Sequence, residues 1–143
     1  MKTPPADSFS ALLRERGLRA TPRRLQLLSL LARAERPMSA HEIKAKWKRG
    51  RIDLVTLYRA LDALVAATLA RRVDLRHGHI DYEINRSGNH HHHLVCTGCG
   101  VIEEVTACPG KNLGELALAR SAKFASLEEH ALEFFGTCKA CVA

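Results

Sequence analysis

The 143-residue sequence predicts an α+β protein in two parts: a helical segment closed by a β-hairpin over residues 1–85, and a smaller α+β module over 86–143. Three observations predict this division. Leucines recur at helical spacing through the first part. Short β-rich runs begin only near residue 69. Charge and metal-ligand residues change at the same boundary: residues 1–85 carry 17 Lys and Arg against 9 Asp and Glu, whereas residues 86–143 carry 5 against 6 and hold all five cysteines and five of the eight histidines. A net charge of +8 in the first part suits a polyanion, and the neutral second part suits metal.

Each element has local support. "DSFSALLRERG" predicts a short amphipathic helix with Asp7 or Ser8 as cap and Gly17 as stop. In "ATPRRLQLLSLLARA", Thr21 is the expected N-cap and Pro22 takes the first helical position, where its missing N–H costs nothing; Leu25, Leu28 and Leu31 mark the buried stripe. "SAHEIKAKWKRG" opens with Ser39 and Glu42, the spacing of a capping box, and ends at Gly50. "DLVTLYRALDALVAATL" starts after Asp53 and carries Leu54, Leu57, Leu61 and Leu64 on one side. Two strands follow, "LARRVDL" and "HIDYEI", joined by the turn-like "RHG". Four helices, a two-stranded hairpin and a basic balance describe a winged helix-turn-helix. Its second helix, opening near residue 54, is the one that enters a major groove. Thr56 and Arg59 point away from the leucine side and Tyr58 lies on its flank, a face available to DNA. A plain helical bundle with a solvated basic face is the competing reading.

"NRSGN" at 85–89 reads as a hinge. Beyond it, "HHHHLVC", "VIEEVTA" and "HALEFFGTC" suit strands and "GKNLGELALARSAKF" a helix. A module this small rarely stands without a metal or a partner chain. No run of eighteen apolar residues lacks charge, so no membrane span is expected. The first ten residues lack the apolar core of a signal peptide. The expected location is cytoplasmic, where thiols stay reduced and cysteine pairs favour metal over disulfide.

Cys96-x-x-Cys99 and Cys138-x-x-Cys141 each close on one ion, and four thiolates suit a tetrahedral structural Zn2+. A redox pair is the alternative, but it needs only one of the two. Cys108 is left over and reads as a small buried residue. If "HHHHLVC" is a strand, His91 and His93 share one face while His90 and His92 share the other, so one strand serves two sites. Glu83 and Glu104 are candidate partners for the first face, and His130 for the second. Imidazole and carboxylate together suit Fe2+, Zn2+, Mn2+, Co2+ or Ni2+, and raw affinity does not choose among them. The competing reading of this run is a solvated polar strand. A zinc enzyme would need a general base beside an open zinc and a substrate pocket, and it would leave the basic half unexplained. A metal store would not need the helix-turn-helix.

Taken together, "GLRATPRRLQLLSLL", "VTLYRAL", "YE", "HHHHLVCTGCG" and "FFGTCKAC" resemble, in order and spacing, the ferric uptake regulator family of metal-dependent transcriptional repressors. The resemblance runs from about Gly17 to Cys141. It implies an N-terminal winged helix hinged to a C-terminal α/β dimerisation domain with a structural zinc. It further implies a homodimer on a double-stranded DNA operator, palindromic by dimer symmetry, and repression of metal-homeostasis genes once a regulatory divalent metal, Zn2+ or Fe2+, is bound. By resemblance, Thr56, Tyr58 and Arg59 lie on the DNA-reading helix, and Arg19 takes the place of a basic residue that approaches DNA. The sensory ligands correspond to Glu83, His91, His93 and Glu104, and those of a second site to His90, His92 and His130.

Two departures stand out. Family members often supply a sensory histidine where this chain has Arg36 and Pro37; His41, His77 or His79 are the candidate replacements, and His79, Asp81 and Glu83 alternate onto one face. The second site usually takes a glutamate where this chain has Lys111. The four-histidine run and short tail after Cys141 resemble zinc-sensing members more than iron-sensing ones, with a peroxide-sensing member as the alternative.

Overall fold

The computed structural model describes residues 6–85, 91–106, 110–127 and 130–142. The chain divides into two compact units, Met1–Arg86 and Ser87–Ala143.

In the first unit, α1 (Ala6–Glu15) already runs through Asp7 and Ser8, so neither caps it. Gly17 does stop it: at φ 73° its N–H bonds the Arg14 carbonyl at 3.0 Å while Leu18 N–H reaches Leu13 at 2.8 Å, a Schellman closure that needs the left-handed conformation. Then α2 (Pro22–Arg33) starts from Thr21, whose hydroxyl accepts the Arg24 N–H at 3.4 Å. Its buried residues are Leu27, Leu28 and Leu31 rather than Leu25. At 100° per residue Leu25 lies roughly 110° from the mean direction of those three, at the margin of the stripe.

A two-residue strand, β1 (Met38–Ser39), precedes α3 (Ala40–Ala45). The capping box is complete: Ser39 Oγ accepts the Glu42 N–H at 3.2 Å, and the Glu42 carboxylate accepts the Ser39 N–H at 2.9 Å. The helix ends at Ala45, short of Gly50, and Trp47 donates its indole N–H to the Arg49 carbonyl at 2.9 Å in the connection that follows. Next, α4 (Leu54–Ala66) is capped by Asp53, which accepts the Thr56 N–H at 2.8 Å. Leu57, Leu61 and Leu64 are fully buried.

The wing consists of β2 (Ala70–Asp74) and β3 (Ile80–Ile84), paired antiparallel. β1 adds to the other edge of β3, so the sheet has three strands in the order β1-β3-β2 rather than two. Leucines of α1, α2 and α4 close over Ile43, Met38 and Tyr82 as one continuous core.

In the second unit, β4 (His92–Cys96) is central, with β5 (Ile102–Val105) antiparallel on one side and β6 (Glu133–Gly136) parallel on the other. A parallel neighbour requires a long crossover, and α5 (Gly110–Ala119) lies within it. The short α6 (Lys139–Val142) carries Cys141. Among the described residues of this unit, the buried apolar side chains are only Val95 and Cys96, beside buried His91, His92 and His93. No helix of the described residues is long and apolar enough to cross a membrane.

Candidate metal centres and nucleic-acid face

The four cysteine sulfurs lie within 4.8 Å of one another. Sγ of Cys99 and Cys138 are 3.6 Å apart, far beyond a disulfide bond and close to the sulfur–sulfur edge of about 3.8 Å that a tetrahedral Zn–S arm of about 2.3 Å demands. The backbone prepares the centre. Cys96 N–H bonds the Val101 carbonyl and Gly100 N–H the Cys96 carbonyl, both at 2.9 Å, which folds residues 96–101 into a tight knuckle. Gly98 leaves room there, since a Cβ would stand 3.3 Å from Cys141 Sγ, a tight contact. The Cys138 N–H donates to Cys96 Sγ at 3.2 Å. That donor, with the N–H of Cys99 after it, lowers the Cys96 thiol to about 6, whereas contact with the Cys138, Cys99 and Cys96 sulfurs pushes Cys141 up to about 12. Four sulfurs so crowded share protons badly and a divalent cation well. The donor set fits structural zinc.

β4 leads directly into this knuckle. Its alternation puts His91, His93 and Val95 on one face and His92, Leu94 and Cys96 on the other, as the sequence pattern requires. The rings of His91 and His93 meet edge to face with centroids 5.3 Å apart, both buried. His93 faces Glu104 on β5 and Glu133 on β6 in the register, a carboxylate on each side. Glu104 is exposed. Glu133 takes the His93 backbone N–H at 3.0 Å and lies 3.1 Å from His93 Nδ1. A carboxylate there accepts from Nδ1 and fixes the orientation of the ring, as the outer partner of a metal-ligating histidine does. Sequence patterning alone does not single out Glu133. Its one signal is its place in a strand, and nothing local says which strand it joins.

On the opposite face, His92 Nδ1 lies 2.9 Å from the Leu132 carbonyl, which orients the ring. Its ring is 5.5 Å from that of His130. The structure thus brings His92 and His130 together; His90, Cys108 and the Lys111 side chain lie outside the described residues.

In the first unit, Glu83 is buried on β3 and ion-paired with Arg71 directly across on β2. Of the histidines considered as replacements, His41 is exposed on α3; the ligand atoms of His77 and His79 converge on Asp81.

The helix-turn-helix face is basic. Tyr58 and Arg59 are exposed on α4, and Thr56 is half-buried, its hydroxyl donating to Asp53 at 2.6 Å. Arg19 and Arg59 line one groove, together with Arg23, Arg24 and Arg49, which the sequence reading had not singled out. Arg24 is fixed in it by donating to the Arg19 carbonyl at 3.0 Å. Five arginines in one concavity beside the second helix of the pair make an anion-binding surface.

A winged helix with an arginine-lined groove, carried on the same chain as a thiolate knuckle and a histidine strand, defines the class of metal-responsive transcription regulators rather than an enzyme. The Ferric uptake regulator family matches residues 15–135, and the chain belongs to that family. It is similar to the ferric uptake regulation protein of Cupriavidus metallidurans, 36% identical over 137 residues that span 94% of this chain and 90% of the relative. Among solved structures it resembles the ferric uptake regulator of Pseudomonas aeruginosa with manganese, at 31% identity, TM-score 0.72, and coverage of 92% of this chain and 98% of that one. The Vibrio cholerae regulator, whose DNA-binding domains undergo structural rearrangement, gives 29% identity and TM-score 0.72 over 90% of this chain and 98% of its own.

Proposed function

We propose that the protein is a homodimeric, cytoplasmic, metal-activated repressor of metal-homeostasis genes that binds a palindromic double-stranded DNA operator. Zn2+ at Cys96, Cys99, Cys138 and Cys141 holds the second unit together. The regulatory ion, Zn2+ or Fe2+, is taken by Glu83, His91, His93 and Glu104, and a second by His90, His92 and His130. Thr56, Tyr58, Arg59 and Arg19 meet the DNA. The observation that carries this reading is the pair of buried, edge-to-face imidazoles of His91 and His93 on the strand entering the thiolate knuckle, with the Glu133 carboxylate 3.1 Å from His93 Nδ1.

When bound, the regulatory ion supplies a divalent charge that its ligands hold more tightly in one arrangement of the protein than in others. Glu83 belongs to the first unit and the histidines to the second, so that preference favours a DNA-competent arrangement, and only the difference in affinity between arrangements shifts the equilibrium. Couplings of this kind are about 5–150-fold in DNA affinity. Dimerisation is supported by exposed apolar side chains: eight of the eleven large ones among the described residues, including Leu94, Phe124 and Phe134, lie in the second unit. A two-fold dimer reads two half-sites about 34–36 Å apart or a multiple of that. With arginines carrying the contact, affinity falls steeply with salt.

A mobility shift tests the reading. Wild type is expected to gain affinity when Zn2+ or Fe2+ is added, and H91A/H93A to lose that gain while keeping its thiolate-bound zinc. A double variant that still responds to metal would contradict the ligand assignment.

A further inference from the structure

Asp81 is 1% exposed on β3, opposite Ser39 on β1 and Val73 on β2, yet neither of its carboxylate oxygens receives a well-aligned hydrogen bond. Arg36, whose charge Asp81 feels, is committed to Glu42. A buried carboxylate left in this state is costly and calls for a cation. The groups facing it are two imidazoles from the turn before β3: His77 Nε2 stands 2.9 Å from Oδ2 and His79 Nε2 3.3 Å from Oδ1. These are ion-pair distances, but no well-aligned hydrogen bond closes either of them. Ligands arranged round a shared ion show this geometry. With arms of about 2.0–2.2 Å, neighbouring N and O donors lie about 3 Å apart, and their lone pairs aim at the ion rather than at each other.

The rings stand 4.1 Å apart, with their Nδ1 atoms 3.3 Å from each other. Both rings are more than a third exposed at the rim of the turn, so each has room to present Nε2 to an ion beside Asp81.

We propose that His77, His79 and Asp81 form a divalent-metal site of their own, built wholly within the wing, that takes Zn2+ or a similar borderline ion and pins the turn at 75–79 onto β3. Three protein donors, two nitrogen and one oxygen, leave a position for water, and mixed imidazole and carboxylate donors select this class of ion over Mg2+ or Ca2+. All three residues belong to the first unit, so the site needs neither the thiolate knuckle nor the histidine strand. Its occupancy would stiffen the wing whether or not the regulatory ion is bound.

The test is zinc content of the full chain, by elemental analysis after equilibration with buffered free Zn2+. H77A/H79A, which alters exposed turn residues, is expected to hold one equivalent fewer than wild type and to keep its metal-dependent DNA shift. H91A/H93A is expected to lose a different equivalent, so that combining the four substitutions loses both. D81N is expected to match H77A/H79A, with circular dichroism confirming its fold. Zinc-induced shifts of the amides of residues 75–81 should vanish with the histidines. Equal zinc content in H77A/H79A and wild type would overturn the proposal. So would a quadruple variant that loses no more than either pair, since the wing residues would then belong to the regulatory site.

Discussion

Seventeen buried apolar side chains, from Phe9 to Tyr82, hold the first unit around a leucine core, whereas among the described residues the second buries only Val95 and Cys96 and fills its sheet with three histidines. The contrast shows two ways of offsetting chain entropy. The first unit relies on area removed from water. The second buries little apolar area among its described residues, and a module of that kind draws on a metal or a partner chain. We therefore expect metal to be structural in the second unit and not in the first, so that the chain loses a sensing ion without unfolding and a structural one without melting its winged helix.

Breaking the knuckle should have the largest effect. Cys138→Ser removes one of four thiolates from a site of a kind whose apparent zinc affinity is about 10–16 kcal/mol. The amide dispersion of residues 91–142 is expected to collapse while the helical signal of α2 and α4 persists, as NMR and circular dichroism would report. Next comes the leucine core. Leu61→Ala, at a side chain 0% exposed, is expected to cost about 2–5 kcal/mol in denaturant unfolding of the first unit and to leave zinc content unchanged.

A smaller effect should follow from Glu133→Gln, which keeps the shape of the side chain but loses the charge beside His93 Nδ1. Loss of such a carboxylate partner costs about 10–100-fold in metal affinity. Regulatory-metal titration should show that loss with the thiolate-bound zinc intact, whereas an equal loss of both would make Glu133 a plain structural residue.

The smallest sits at the start of α3. The Arg36 guanidinium, with help from Ser39, holds Glu42 at about 2, below its usual 4.5. A depressed carboxylate contributes stability that is complete above its unfolded value and is lost as pH falls from about 4.5 towards 2. Both partners are more than a third exposed, so the contribution is about 1 kcal/mol or less. The stability gap between wild type and Glu42→Gln should therefore narrow between pH 6 and pH 3.

The first unit was the more legible of the two. Thr21, Ser39 with Glu42, and Asp53 cap the helices they were expected to cap, because a cap is decided within four residues. The cysteine pairs and the alternating histidines were readable for the same reason. What failed depends on distant pairing. β1 is two residues long and exists because Met38 and Ser39 meet Tyr82 and Asp81. The parallel match of β4 with β6 spans a crossover that no local pattern encodes, and with it went Glu133. Leu27 replaces Leu25 in the core because the neighbours of α2, not its own spacing, select the buried side. By spacing Asp81 is one member of an alternating face; only the sheet on both sides of it shows a buried carboxylate whose near groups are two imidazoles.

Stepwise chelation of the full-length protein tests the central contrast most directly, with operator affinity and the amide spectrum of residues 91–142 followed together. If separate ions fold and regulate the second unit, a mild chelator abolishes the metal-dependent gain in DNA affinity while the spectrum stays dispersed, and only a strong chelator collapses it. Simultaneous loss of both at every chelator strength would mean that one ion does both tasks, and the division between structural and sensing metal would not hold.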